Sequence, residues 1–400
     1  MKPILPGPRG PLPQAVLGVT GGGQLGRMFV HAAQRMGYQT AVLDPDPHSP
    51  AGLVSQHHIQ ADYLDALALE RLAGCCAAVT TEFENVPAQA LTWLAGKLPV
   101  APAAHAVHVA QDRGLEKAHF VDCRVACAPY ALVGAESDLQ SVSAGLLPGI
   151  LKTARLGYDG RGQLRARDRA ELAAAWNTLG GVPCVLEKLL ELDFECSVIV
   201  ARGWGGEMVN FPAQRNLHRD GILVMTQAFA GIVPAQLAAQ AEAAAKSIAQ
   251  GLQYVGVLCV EFFVLVDGSL VVNEIAPRPH NSGHYTIDAC DLSQFDLQVR
   301  TLAALPVVQP RQHSPAVMLN LLGDLWLQAP LPGYPAWDRV LDLPGAHLHL
   351  YGKQRASQGR KMGHLTIIGD SSAQVMCCAA QAARLLGIEG ICVPAPDDGC

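Results

Sequence analysis

A glycine-rich turn near the N-terminus is the feature that most restricts the fold of this chain. The apolar run 15–20 ends in Gly21-Gly22-Gly23-Gln24-Leu25-Gly26, and apolar residues at helical spacing follow as far as Gly37. Residues 40–43 then have the composition of a second buried strand. A strand, a G-x-G-x-x-G turn, a helix and another strand form the opening unit of a doubly wound parallel sheet.

The ligand of this turn is not fixed by the motif alone. Glycines allow the backbone to approach a ligand closely, and the N-terminus of a helix attracts phosphate. Asp44 follows the second strand, where a dinucleotide-binding fold places the acid that holds a ribose. A phosphate or nucleotide, NAD, and a tight turn without a ligand are all compatible with these residues.

Composition narrows the class of protein. A chain of 400 residues with 50% hydrophobic residues is expected to form two or three domains. The net charge of −6 and the lack of a dense basic run argue against nucleic-acid binding. No apolar run approaches the ~18–20 residues of a membrane span, and residues 1–14 lack the apolar core of a signal peptide. We expect a cytoplasmic protein whose twelve cysteines, none spaced C-x-x-C, are reduced thiols and mostly fill small apolar spaces.

Four segments are predicted along the chain. Residues 1–14 form a flexible leader rich in proline and glycine, and residues 15–111 form the doubly wound domain, with further strands at 77–80 and 98–101. Residues 112–310 form an α+β, largely antiparallel domain, in which Asp267-Gly268 is a strong hairpin signal. Residues 311–400 form a small domain with several strands and one helix.

A second glycine-rich segment lies in the middle domain. Residues 152–163 contain three glycines and three cations, which suits a mobile lid over a triphosphate. The alternative is a surface loop whose charges are solvated.

Two carboxylates lie on the predicted strands beside the Asp267-Gly268 turn. The turn folds the strands together, so Glu261 and Glu274 can face each other, and Asn273 adds a neutral oxygen. Hard oxygen ligands of this kind hold Mg²⁺, which bridges nucleotide phosphates. The alternative is that both acids face solvent on an edge strand.

Polar residues follow the second carboxylate immediately. Arg278, His280, Asn281 and Ser282 suit the binding of a small anion such as bicarbonate. A later stretch from Tyr351 to His364 carries Lys353, Arg360 and Lys361, for which a solvated face is the alternative. The pairs His57–His58 and His347/His349 lack supporting acids or cysteines in sequence, and we expect them to be structural.

Taken in order, the motifs resemble one family of ATP-grasp enzymes, the 5-(carboxyamino)imidazole ribonucleotide synthases. The resemblance covers roughly residues 15–370. It is carried by the glycine turn, Thr80-Thr-Glu82-Phe-Glu84-Asn85, Asp112-Arg113-Gly-Leu-Glu-Lys117, Gly157–Gln163, Glu187-Lys188, Asn216-Leu-His218-Arg-Asp-Gly, Asn273–Gly283 and Arg360-Lys-Met-Gly-His364. It implies a Rossmann-like N-terminal domain, an ATP-grasp central domain and a small C-terminal β-rich domain.

The resemblance also implies an activity. Enzymes of this family carboxylate 5-aminoimidazole ribonucleotide with bicarbonate in purine biosynthesis, using ATP and Mg²⁺, and are typically dimers. Bicarbonate would be activated as carboxyphosphate, and the glycine turn would hold the phosphate of the ribonucleotide rather than NAD.

Site residues are carried over one by one. Metal ligands would be Glu261 and Glu274. Catalytic residues, with Asp159 as the base, would be Asp159, Tyr158, Arg278, His280 and Lys353. The substrates would contact Gly23, Gln24, Leu25, Glu82, Asn281, Ser282, Arg360 and Lys361. ATP would contact Arg113, Lys152, Gly157, Tyr158, Asp159, Gly160, Arg161, Gly162, Gln163, Glu187, Lys188, Leu189, Leu190, Glu195, His218, Asn273 and Glu274.

Three other functions remain compatible with parts of the sequence. A formate-using glycinamide ribonucleotide transformylase would share much of the ATP-grasp frame. A nicotinamide oxidoreductase would explain the first motif alone, and a nucleotide-binding regulator would bind ATP without turnover. One departure from the family concerns the lid, because Leu156 stands where the family often has glycine.

Overall fold

The computed structural model describes residues 1–8, 14–157, 160, 162–329 and 333–391. The N-terminal part contains a parallel sheet in the order β3-β2-β1-β4. Its elements are β1 (Val16–Thr20), α1 (Gln24–Arg35), β2 (Gln39–Leu43), β3 (His57–Ile59), α2 (Ala66–Cys75), β4 (Ala78–Thr81), α3 (Ala88–Ala95) and α4 (Ala104–Ala110). The turn between β1 and α1 therefore lies at the carboxyl edge of the sheet, where doubly wound folds bind ligands.

The middle part contains two antiparallel layers. Its first elements are α5 (Arg113–Asp122), β5 (Tyr130–Val133), α6 (Asp138–Ser141), β6 (Gly149–Thr153), β7 (Gln163–Ala166), α7 (Arg169–Thr178) and β8 (Cys184–Lys188). Those that follow are β9 (Leu192–Arg202), β10 (Met208–Asn210), β11 (Gln214–Arg219), β12 (Ile222–Ala228), α8 (Ala235–Gly251), β13 (Gly256–Leu265), β14 (Leu270–Ala276), α9 (Thr286–Ala289) and α10 (Gln294–Leu302). One layer is the sheet β5-β8-β6-β7, and the other begins with β14-β13-β9-β11-β12.

The C-terminal strands continue the second layer. This part consists of β15 (Ala316–Leu322), α11 (Asp324–Gln328), α12 (Trp337–Leu341), β16 (Ala346–Leu350), β17 (Lys361–Ile368) and α13 (Ser372–Leu386). Because β12 pairs with β15, one sheet of nine strands, including β10, runs across residue 310. The domain boundaries at residues 111 and 310 stay predictions, although the three-part mixed fold is present.

Two local expectations have different outcomes. Asp267 and Gly268 do join β13 to β14, and the carboxylate of Asp267 accepts the backbone N–H of Ser269. The predicted strand at 98–101 is wrong, because only Val100 forms a β-bridge, to Val79. Pro99 and Pro102 lack the N–H donors that a longer ladder needs.

Helix α10 of the middle part packs against the N-terminal part. Phe295, Val299 and Leu302 lie in one buried cluster with residues of β1 and α1, such as Phe29. Because α10 also packs on β13, the parallel sheet lies beside the strand pair β13–β14, and the two predicted groups of functional residues share one region.

Two further observations concern composition. Nine cysteines are free thiols in the part of the chain that the structure describes, whereas Cys377 is disulfide-bonded, contrary to the expectation for that residue. No helix among the described residues is long and apolar enough to cross a membrane.

Candidate active site

Two cavities meet at the strand pair β13–β14. Cavity A, of about 430 Å³, is lined by both antiparallel sheets, and cavity B, of about 580 Å³, is lined by all three parts of the chain. Their linings have six residues in common, Arg113, Glu261, Glu274, His280, Asn281 and Lys361. A group transferred between molecules in the two cavities would pass this shared wall.

A carboxylate between two lysines forms one wall of cavity A. Glu187 of β8 lies 3.0 Å from Nζ of Lys152 and 3.1 Å from Nζ of Lys117, and all three side chains are buried. Burial raises the pKa of Glu187, but the two lysines outweigh burial and hold it below the usual range. Burial also lowers the pKa of Lys152, which Glu187 opposes. Glu187 is thus ionised at neutral pH.

Helix α5 supplies contacts to both sheets from one face. Its N-cap is Asp112, whose carboxylate accepts the backbone N–H groups of the first turn. Arg113, Glu116 and Lys117 are spaced i, i+3 and i+4, so their side chains leave the helix on the same side. Glu116 accepts the N–H of Ile275 at 2.7 Å. Burial raises the pKa of Glu116 to about 8, although Arg113 opposes the rise.

The predicted acid pair lies on the shared wall. Glu261 and Glu274 are opposite each other in the β13–β14 ladder, beside a β-bulge that follows Glu261. Glu274 contacts Nη1 of Arg113 at 3.1 Å and keeps 40% of its side-chain exposure, because it faces the cavities. Burial raises the pKa of Glu274, but Arg113 and Lys152 together outweigh burial and lower it below the usual range. Burial raises the pKa of Glu261 to about 7.

The oxygen atoms of this wall fit a hard cation. Oε1 of Glu261 and Oδ1 of Asn273 are buried and accept no hydrogen bond within the described residues. Buried oxygens without a partner are costly, and carboxylate and amide oxygens are the ligands that Mg²⁺ takes. Nε2 of His280 lies 3.3 Å from this same Oε1 of Glu261, but the geometry of the contact is not that of a hydrogen bond. Burial and then Arg278 lower the pKa of His280, so its neutral ring adds no positive charge.

A histidine–carboxylate pair closes another side of cavity A. Nδ1 of His218 lies 2.7 Å from Oε2 of Glu195, across the paired strands β11 and β9. Burial lowers the pKa of His218, but the hydrogen bond to Glu195 and the negative charges of Glu261 and Glu274 together outweigh burial and raise it overall. The acid pair and Glu195 therefore favour the protonated form of His218.

Cavity B carries several cations. Arg278 forms a two-bond ion pair with Glu84, with atoms 2.5 and 3.2 Å apart. Lys353 donates to the backbone carbonyl of Lys361 at 2.7 Å, and Arg360 to that of Arg355 at 2.8 Å. These cations share the lining of cavity B with the carboxylates of Glu82, Glu84, Glu116, Glu261 and Glu274.

Asn281 and Ser282 have different positions. The amide of Asn281 lines both cavities and makes no hydrogen bond within the described residues. Ser282 is fully buried and lines neither cavity. Its hydroxyl lies 2.9 Å from Nδ1 of His280 and 2.8 Å from the hydroxyl of Ser197, so it orients His280 rather than facing a ligand.

The glycine turn is occupied by the protein's own carboxylates. The backbone N–H groups of Gly23 and Gly26 donate to Glu82 at 2.5 and 2.8 Å, and that of Gly22 donates to Asp44 at 2.7 Å. Burial raises the pKa of Glu82, although the two backbone donors oppose the rise. A phosphate cannot take the donors of Gly23 and Gly26 while Glu82 holds them. This argues against both the NAD alternative and the expectation that the turn binds the phosphate of a ribonucleotide.

The structure assembles most of the residues predicted from sequence. Those lining cavity A are Arg113, Lys152, Gly160, Gln163, Glu187, Lys188, Leu189, Leu190, Glu195, His218, Glu261, Asn273, Glu274, His280, Asn281 and Lys361. Those lining cavity B include Gln24, Leu25, Glu82, Gly157, Arg278, Lys353 and Arg360. Gly23, Gly162 and Ser282 line neither cavity. Tyr158, Asp159 and Arg161 lie outside the described residues, so their predicted roles stay predictions.

Sequence reasoning missed Glu84, Glu116 and Lys117. Glu84 and the two α5 residues stand inside motifs that the resemblance rests on, yet only Glu82 and Arg113 of those motifs were assigned a role. The spacing of Arg113, Glu116 and Lys117 on one helical face was the available signal.

Comparisons with known proteins agree with this geometry. The sequence matches the ribonucleotide synthetase preATP-grasp domain over residues 14–111, the ATP-grasp domain over residues 118–295 and the phosphoribosylaminoimidazole carboxylase C-terminal domain over residues 316–376. Two antiparallel sheets enclosing cavity A, with a parallel sheet beside them, thus define an ATP-grasp enzyme.

Relatives along the whole chain give the particular family. N5-carboxyaminoimidazole ribonucleotide synthase of Brucella melitensis is 43% identical over 359 residues, covering 89% of this chain and 97% of the relative. The Staphylococcus aureus N5-carboxyaminoimidazole synthetase, complexed with ADP, has a TM-score of 0.84 and 36% identity, with 92% of this chain and 96% of that chain covered. The Aspergillus clavatus enzyme, in complex with ADP and 5-aminoimidazole ribonucleotide, has a TM-score of 0.85 and 32% identity, with coverage of 93% and 98%. The chain belongs to the N5-carboxyaminoimidazole ribonucleotide synthase family.

Proposed function

We propose that this protein uses ATP and bicarbonate to carboxylate the exocyclic amine of 5-aminoimidazole ribonucleotide, giving N5-carboxyaminoimidazole ribonucleotide, ADP and phosphate in purine biosynthesis. The observation that carries the proposal is the meeting of the two cavities at Glu261 and Glu274. A nucleotide in cavity A and a ribonucleotide in cavity B would react across this wall.

ATP is assigned to cavity A. Lys152 and Arg113 supply positive charge for phosphate groups, while Ile150, Leu190 and Phe263 supply apolar surface for a base. Binding of ADP by the related Staphylococcus aureus enzyme supports this assignment.

The ribonucleotide is assigned to cavity B. Each oxygen of Glu82 accepts one backbone N–H and keeps a second lone pair, so the carboxylate can also accept hydrogen bonds from ribose hydroxyls. The phosphate of the ribonucleotide is then assigned a place beside Lys353, Arg360 and Lys361, because the backbone N–H donors of the glycine turn already bind Glu82.

Mg²⁺ is assigned to Glu261 and Glu274, with Asn273 nearby. When bound, it would neutralise charge on the phosphates of ATP during transfer. The fit rests on the unpartnered oxygens of Glu261 and Asn273.

The chain's own residues perform the remaining steps. Bicarbonate is a poor electrophile, so transfer of the γ-phosphoryl group to its oxygen gives carboxyphosphate, a reactive mixed anhydride. Neutral His280 and the amide of Asn281 face this region, where they can orient bicarbonate. The glycine-rich segment that joins β6 to β7 would act as a lid and exclude water, which otherwise hydrolyses the intermediate.

Proton removal completes the reaction. The attacking amine must lose a proton, and Asp159 remains the proposed base, with Tyr158 beside it in the lid. We also propose, from the resemblance, that the protein is a cytoplasmic homodimer, and sedimentation at micromolar concentration measures the oligomer directly.

The test is release of ADP measured by a coupled assay. Release is expected to need both 5-aminoimidazole ribonucleotide and bicarbonate. It should be lost in Glu274→Gln but retained in Glu136→Gln, since Glu136 is an exposed acid that lines neither cavity. A formate requirement would point to the transformylase alternative instead. ATP binding without any turnover would point to a regulator.

A further inference from the structure

Lys117 is a fully buried lysine that lies behind the wall of cavity A. Its Nζ atom is 3.1 Å from Oε1 of Glu187 and 3.5 Å from the carbonyl oxygen of Asn273. It lines neither cavity in the described part of the chain, so a ligand in cavity A would not touch it. A buried ammonium group without direct contact to ligand needs another explanation.

The arrangement of charges supplies one. Glu187 carries one negative charge and divides its two oxygens between Lys117, behind the wall, and Lys152, which lines the cavity. Two lysines and one carboxylate leave a net charge of +1. Without Lys117, the carboxylate would neutralise Lys152 completely, and the wall would offer a polyanion no net attraction.

We propose that Lys117 is a positioning residue, which holds one oxygen of Glu187 and so leaves the positive charge of Lys152 available to the polyphosphate of ATP. The inference rests on the proposed function in one respect, the placement of ATP in cavity A. Lys117 also fixes the orientation of Glu187 relative to β14, because its second contact is a backbone carbonyl of that strand.

Two roles for Lys117 predict different nucleotide affinities: a purely structural ion pair with Glu187, and preservation of the positive charge of Lys152. If Lys117 only stabilised the fold, its loss would weaken all nucleotides alike. If it preserves charge on Lys152, its loss weakens ligands in proportion to their negative charge, because the interaction is Coulombic.

The experiment compares the dissociation constants of ATP, ADP and adenosine by calorimetry. Lys117→Met is expected to weaken ATP about tenfold, ADP less, and adenosine less than about threefold. Lys97→Met, which removes one exposed lysine of the N-terminal part, is the matched control and should change none of them. Equal losses for the three ligands, or no loss for ATP, would overturn the inference.

A double variant makes the test independent of the stability of Lys117→Met. Lys117→Met combined with Glu187→Gln removes both buried charges and leaves Lys152 with its own. The ratio of ATP affinity to adenosine affinity should then return to within about threefold of the wild-type ratio, whatever Glu187 itself contributes to binding both ligands. A double variant whose ratio stays tenfold below that of the wild type contradicts the inference, whether or not the single variant folds. Failure of the wild type to bind ATP would instead refute the placement of ATP, so the two failures are distinguishable.

Discussion

Lowering the pH from 8 to 6 should weaken Mg²⁺ binding through Glu261. Burial, supported by the negative charge of Glu274, raises the pKa of Glu261 to about 7, although His218 opposes the rise. A hard cation binds the ionised carboxylate, so a proton must leave before the ion can bind. With a pKa of about 7, Glu261 is roughly 90% ionised at pH 8 and roughly 10% at pH 6. The dissociation constant for Mg²⁺ should therefore rise about tenfold over this interval, and the loss should begin near pH 7.

Calorimetry in two buffers of different ionisation enthalpy measures both the affinity and the protons released. We expect about half a proton released per ion at pH 7, because Glu261 is then about half protonated. Two neighbouring groups could also release protons in this pH range. They are Glu116, whose pKa is raised to about 8, and His218, whose pKa is raised by Glu195. Glu116→Gln should keep the proton release, whereas Glu261→Gln should abolish it and bind Mg²⁺ weakly at both pH values. An affinity that changes less than twofold between pH 8 and 6 in the wild type would refute this reasoning.

Three substitutions test other parts of the account. Glu274→Gln should lower kcat at least about a hundredfold, because it removes an anionic ligand of the Mg²⁺ that would neutralise the transferred phosphoryl group. Circular dichroism should show that the fold is intact. Wild-type turnover would contradict the metal assignment. Gly23→Ala places a Cβ atom 2.4 Å from Oε1 of Glu82, so the carboxylate must shift. Initial rates should then give a KM for 5-aminoimidazole ribonucleotide about tenfold higher and a KM for ATP that changes little. An equal rise in both KM values would count against the ribose contact. Leu156 has a φ of 61°, in the left-handed region that glycine adopts without strain. Leu156→Gly should therefore raise the free energy of unfolding, measured in urea, by about 0.5 kcal/mol, whereas Leu156→Ala should not raise it. A glycine variant less stable than the wild type would argue against strain at this position.

Local signals in the sequence predicted the parts of the fold that depend on near neighbours. The glycine turn before α1 and the Asp267-Gly268 hairpin are set by residues within a few positions, so their patterns were sufficient. The segment 98–101 has apolar residues, but it contains Pro99 and is followed by Pro102, and the missing N–H donors limit its pairing to a single β-bridge.

Contacts between distant segments were beyond the reach of those patterns. The pairing of β12 with β15 depends on how the C-terminal part packs on the middle part, and the local sequence of either strand does not predict which strand it pairs with. Occupation of the glycine turn by Glu82 joins residues almost sixty positions apart, and Lys117 meets Glu187 across a similar interval. The residue types of the candidate site were thus predictable from sequence, whereas the pairing of its charges required the structure.

Transfer of oxygen from bicarbonate to phosphate tests the central claim most directly. If the γ-phosphoryl group is transferred to an oxygen of bicarbonate, later cleavage of the carbon–oxygen bond leaves that oxygen on the released phosphate. We therefore expect that turnover with ¹⁸O-labelled bicarbonate and 5-aminoimidazole ribonucleotide gives inorganic phosphate carrying one ¹⁸O atom, as measured by mass spectrometry. Phosphate whose new oxygen comes only from water would show that ATP is hydrolysed without carboxyphosphate, and would contradict the account.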